Sequence, residues 1–140
     1  MTVLSTNLSV QGTVISGDQR GRHLGAATAN VQYTDTKIEA HLKYGVYAVE
    51  VSIDAGKAYL GVANFGVKPT FNSKSSSLEV HLLDFHGDLY GRNVSVVFRK
   101  YLRPEICFKK ENDLKEQIQE DIKSIREYFS NEPEHLLTED

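Results

Sequence analysis

Four segments rich in β-branched and aromatic residues follow one another through the middle of the chain: Gly45 to Ile53, Ala58 to Phe65, Leu78 to Leu83 and Val94 to Tyr101. Turn chemistry joins them: Asp54-Ala55-Gly56, then Lys68-Pro69-Thr70 with the serine-rich Asn72 to Ser77, then His86-Gly87-Asp88. Such links favour antiparallel pairing, because parallel strands need a crossover of about a dozen residues or more, usually a helix. Upstream, Leu8 to Ser16 reads as another strand, ending at Gly17. Only one segment carries a helical period. Leu114, Ile118, Ile122, Ile125 and Phe129 fall on one stripe among charged residues, which predicts an amphipathic helix over 112–130, with Asn131 and Pro133 marking its end. Strands in series followed by one helix define a mostly β class, and closure into an antiparallel Greek-key barrel would remove the exposed sheet edges.

Composition narrows the function classes. Near-apolar stretches such as Tyr44 to Val49 are far short of the roughly 20 residues a membrane helix needs. With 16 basic against 19 acidic side chains, the charge gives no general attraction to nucleic acid. Cys107 is the single cysteine, which fits a cytoplasmic setting without disulfides and is expected to be a covered spectator thiol. The 140 residues suit one domain, over 1–131, with a polar tail at 132–140. No membrane and no nucleic-acid partner are expected.

Three places could carry chemistry. Gly17, Gly21 and Gly25 recur with Arg20, Arg22 and His23 between them, so the stretch from Gly17 to Asn30 reads as a loop. Glycine amides and arginines after a strand can wrap phosphates, although neither the G-K-[ST] loop nor G-x-G-x-x-G is present, and an ordinary surface loop fits the composition as well. Thr28 and Asn30 would share a side of an extended segment and offer neutral oxygens to Mg²⁺ carried by nucleotide phosphates; local turn bonds are the other reading. Glu79 alternates away from Leu78, Val80 and Leu82, which suits either a general base for an alcohol nucleophile or a solvated outer-face carboxylate. The histidines at 23, 41, 81, 86 and 135 lack metal-site spacing, and Asn72 to Ser77 reads as a hairpin loop.

In combination, G-T-V-I-S-G-D-Q-R-G-R-H-L-G-A-A-T-A-N, Y-G-V-Y-A-V, G-V-A-N-F-G-V-K-P-T-F, L-E-V-H-L-L-D-F-H-G-D-L-Y-G and Y-L-R-P-E-I-C-F, followed by the helix, resemble the riboflavin kinase family from about Val10 to Phe129. The resemblance implies a six-stranded antiparallel Greek-key β-barrel with a C-terminal helix, transferring the ATP γ-phosphoryl to the ribityl 5′-hydroxyl of riboflavin to give FMN and ADP. It implies ATP contacts at Gly17, Arg22, Thr28 and Tyr90, Mg²⁺ at Thr28 and Asn30, catalysis by Glu79, and flavin contacts at Arg103, Glu105 and Ile106. In bacteria the family domain usually follows an N-terminal nucleotidyltransferase domain, so such a partner is expected if this chain is an excised piece. Ala27 departs from the family's P-T-A-N, which motivates an alternative: a flavin-binding module of the same fold with impaired catalysis.

Overall fold

The computed structural model describes residues 8–18, 26–33, 38, 41–69 and 74–130. Six strands, β1 (Ser9–Asp18), β2 (Ala26–Tyr33), β3 (Gly45–Ile53), β4 (Ala58–Pro69), β5 (Lys74–Leu83) and β6 (Asn93–Arg103), precede the helix α1 (Glu111–Ser130). They close into an antiparallel barrel in the order β1-β2-β5-β4-β3-β6. Strands β3, β4 and β5 run as consecutive hairpins and β2 lies beside β5, the Greek-key arrangement.

Alternation separates two apolar clusters. Ala29, Val31, Val49, Val51, Phe65, Leu78, Val80, Leu82, Val96 and Phe98 point into the barrel and make its core. Val46, Ala48, Val62 and Leu83 point outward and are covered by Ile125 and Phe129 of α1. The helix is therefore packed on one outer face, spanning parts of β3, β4 and β5. At its far end Arg126 donates two hydrogen bonds to Asp84, at 3.1 and 3.2 Å, tying the helix to the end of β5. Those bonds hold the Asp84 carboxyl below the ordinary carboxylate range.

Two stretches read as loops belong to strands. Residues 26–33 form β2, paired to β1 on one side and β5 on the other. Three alanines carry little β propensity, so the pairing with both neighbours, and not local preference, sets their conformation. Ala27 itself pairs with Leu82. Likewise Ser75, Ser76 and Ser77 lie in β5, opposite Lys68, Val67 and Gly66, so β4 and β5 extend well past the apolar segments that announce them. The β3–β4 hairpin turns through Asp54 and Ala55, both at positive φ, and Gly56 N–H donates to the Ile53 carbonyl at 2.8 Å. Helix α1 starts one residue ahead of the 112 expected from its period. Cys107, expected to be covered, is exposed, because the segment between β6 and α1 runs over the surface. Gly21, Arg22, Gly25 and the tail at 132–140 lie outside the described residues.

Candidate active site

Strand register assembles the site. Glu79 on β5 stands opposite Asn30 on β2 and opposite Asn64 on β4. Asn64 in turn stands opposite Val46 on β3, and Val46 opposite Arg103 on β6. Directly opposed residues share a face, so Asn30, Glu79, Asn64, Val46 and Arg103 form one row across five strands, on the outside of the barrel. The adjacent row is Thr28, His81 and Val62. Helix α1 and the segment before it stand over these rows and enclose a cleft of about 110 Å³, with Thr28, Asn64, Glu79 and His81 on the sheet side and Ile106, Phe108, Leu114 and Ile118 on the other.

The groups in the cleft are held unequally. Thr28 is buried, at 6% exposure, and its Oγ1 lies 2.7 Å from His81 Nδ1. Glu79 is half-buried and makes no hydrogen bond or ion pair among the described residues, so its carboxylate is available to a substrate. Asn64 Oδ1 is buried with no hydrogen-bond partner. Arg103 is committed within the fold: its Nε and Nη2 donate to the two oxygens of Asp121 at 3.0 and 2.7 Å, and its Nη1 donates to the Pro104 carbonyl at 3.1 Å. Asp121, only 4% exposed, also accepts from Gln117 Nε2 at 3.1 Å. The fork between guanidinium and carboxylate thus fixes β6, the start of the segment leading to Ile106, and the helix to one another.

Of the residues singled out from sequence, Thr28, Glu79, Arg103 and Ile106 line the cleft, and Asn30 adjoins it beside Glu79. Glu105 lies next to it. Its carboxyl group occupies the space that a Cβ on Gly66 would fill, two residues along β4 from Asn64. Gly17 pairs with Ala29, next to Thr28. Tyr90 does not join the cleft: it is 68% exposed on the turn before β6, where Gly91 N–H donates to the Val14 carbonyl of β1 at 2.8 Å. Arg22 falls outside the described residues. Asn64, His81 and Asp121 escaped the sequence reading as site residues. Two of them carried a signal there, since Asn64 interrupts the apolar G-V-A-N-F, and Asp121 sits three residues after Ile118 and four before Ile125, on the apolar stripe of the helix.

The sequence model of the family described as Flavokinase, riboflavin kinase, matches residues 4–129. The chain belongs to the riboflavin kinase family. A bifunctional riboflavin kinase/FMN adenylyltransferase of Buchnera aphidicola is 39% identical over 130 residues, covering 91% of this chain and 41% of the relative. The chain spans about 40% of the length of the bifunctional curated relatives it matches. Among solved structures, a protein from Streptococcus pneumoniae named as a macrolide-efflux protein is 32% identical, with a TM-score of 0.74 over 86% of this chain and 38% of that one. A riboflavin kinase from Trypanosoma brucei, at 21% identity, shares the fold with a TM-score of 0.60, over 88% of this chain and 80% of its own. No helix among the described residues is long and apolar enough to cross a membrane.

Proposed function

We propose that this chain transfers the γ-phosphoryl group of ATP to the ribityl 5′-hydroxyl of riboflavin, giving FMN and ADP. The observation that carries the proposal is the unbonded Glu79 carboxylate, in a row between Asn30 on one side and Asn64 on the other, under a wall of Ile106 and Phe108. Phosphoryl transfer asks a protein for positioning, charge compensation and an oriented nucleophile, with no covalent intermediate on the enzyme. Glu79 takes the proton of the 5′-hydroxyl as its oxygen bonds to the γ-phosphorus and the bond to the ADP oxygen breaks.

The nucleotide belongs at the β1–β2 side, where Gly17 adjoins the Thr28 strand; Arg22 is assigned to the phosphates and Tyr90 to the adenine side. Thr28 and Asn30 are neutral oxygen donors two residues apart on one face of β2, a set that fits Mg²⁺ bound chiefly through phosphates and water. They would hold that ion, which when bound offsets phosphate charge. The flavin belongs at the other end, where Ile106 offers an apolar surface and Arg103 and Glu105 shape the rim. Pairing of Ala27 with Leu82 keeps the Thr28 segment in the sheet without the family's proline. An exposed, single thiol suits a reducing cytoplasmic setting.

Incubation of purified protein with riboflavin, ATP and Mg²⁺, followed by chromatographic separation of the flavins, tests the proposal. FMN is the expected product, and its absence at saturating substrate refutes the reading. The relatives' second named activity is not assigned to this chain, so FMN with ATP is expected to yield no dinucleotide.

A further inference from the structure

Strand β4 passes under the cleft with Ala63 and Phe65 buried inside the barrel and Asn64 turned outward between them. Its Oδ1 is buried, yet meets no donor, and no hydrogen bond joins Asn64 to Glu79 among the described residues. Buried polar atoms are nearly always paired, so an acceptor left open on the floor of a substrate cleft calls for a donor from outside the chain. Its place in the row says which. On one side stands the Glu79 carboxylate and on the other Val46, followed by the Arg103–Asp121 pair. A ligand laid along this row meets a base, then a single amide, then one apolar side chain.

Resting on the kinase reading above, we infer that Asn64 recognises the ribityl chain, its Oδ1 accepting a hydrogen bond from a hydroxyl other than the one that reacts. Adjacent strands lie about 4.8 Å apart, on the scale of hydroxyls a carbon or two apart along a polyol. With the aromatic ring against Ile106 and Phe108 at the Val46 end of the row, the polyol crosses Asn64 and its terminal hydroxyl arrives at Glu79. Asn64 is then a positioning residue: it sets how far along the row the substrate lies, and so whether the terminal oxygen reaches the carboxylate. A flavin lacking the polyol gains nothing from it.

The test pairs a change in the protein with a change in the ligand. Riboflavin and lumiflavin, which has the ring without the ribityl chain, are titrated by flavin fluorescence against wild type, Asn64→Leu and Asn64→Ser in the presence of ADP and Mg²⁺. Leucine is close to asparagine in shape and replaces an acceptor that has no partner in the fold, so the variant is expected to melt no lower than wild type; the serine variant gives a second measurement. Asn64→Leu should weaken riboflavin about five- to tenfold and leave lumiflavin unchanged, bringing the two affinities together. Equal loss for both ligands, or loss for neither, overturns the inference while leaving FMN formation by wild type intact. If wild type binds no flavin and makes no FMN, the kinase reading itself fails and this inference with it.

Discussion

Removing the Asp121 carboxylate should loosen the wall of the cleft. Asp121→Ala strips Arg103 of both oxygens of its fork and Gln117 of its acceptor, leaving a guanidinium 19% exposed with one remaining bond, to the Pro104 carbonyl. Breaking a buried ion pair by deleting one partner costs about 3–5 kcal/mol. Arg103 retains some access to water, which places the expected loss near the lower end, about 3 kcal/mol, and lowers the melting temperature by about 10 °C. Asp121→Asn keeps one oxygen and loses the charge, for a loss of about 1.5 kcal/mol. Urea denaturation followed by circular dichroism measures both, and riboflavin KM should rise in parallel, because Ile106 and Phe108 follow directly from the anchored residue. The double variant Arg103→Met with Asp121→Leu separates folding from function. Apolar replacement of a buried pair is often neutral, so stability should return to within about 1 kcal/mol while riboflavin KM stays raised. A loss below about 1 kcal/mol for Asp121→Ala would show that water already screens the pair, and recovery of KM in the double variant would show that the fork does not position the flavin wall.

Glu79→Gln should lower kcat by about 100-fold or more with riboflavin and ADP still bound, as read by steady-state kinetics beside calorimetry; equal loss of binding would make Glu79 structural. Ala55 sits at φ 61°, a conformation that costs a residue with a Cβ about 1–2 kcal/mol, so Ala55→Gly should raise stability by about 0.5–1 kcal/mol without touching activity, and a lower urea midpoint would contradict it. The Asp84 carboxyl is held low by hydrogen bonds from Arg126 and then by its charge, so the stability from this pair is fully present above the unfolded carboxyl's pKa, about 3.9, and is lost as pH falls through the lower, folded value. Arg126→Gln should therefore destabilise the helix slightly at neutral pH and not at all once both states are protonated; a difference that persists in strong acid would point to lost packing instead.

The sequence exposed the elements whose residues carry their own signal. The helix announces itself because Leu114, Ile118, Ile122, Ile125 and Phe129 repeat at its period, and Glu79 because it alternates with leucine and valine. Strand β2 did not, since Ala26, Ala27 and Ala29 look the same in a loop as in a strand and only the partners on either side decide between them. The serines at 75–77 were hidden for the same reason. Resemblance to a family supplied Thr28, Asn30 and Glu79 as a set, but the row joining Glu79 to Asn64 is a matter of register between β4 and β5, and pairing across strands is written nowhere in the local pattern. Asp121 is the converse case. An acid on the buried stripe of a helix needs a cation, and Arg103 lies 18 residues earlier on another element.

A sheet that closes on itself cannot open like a book. With β6 bonded to both β3 and β1, every strand carrying a reactive group is gripped on two sides, and the floor of the cleft keeps its spacing whatever occupies it. On the kinase reading, widening to admit a flavin or to let FMN leave falls, among the described residues, to the other wall: the segment between Arg103 and Glu111, beside a helix pinned by Ile125, Phe129 and Arg126. Any give is thereby left to the seven residues from Pro104 to Lys110, while the proposed chemistry rests on a frame that does not have to move.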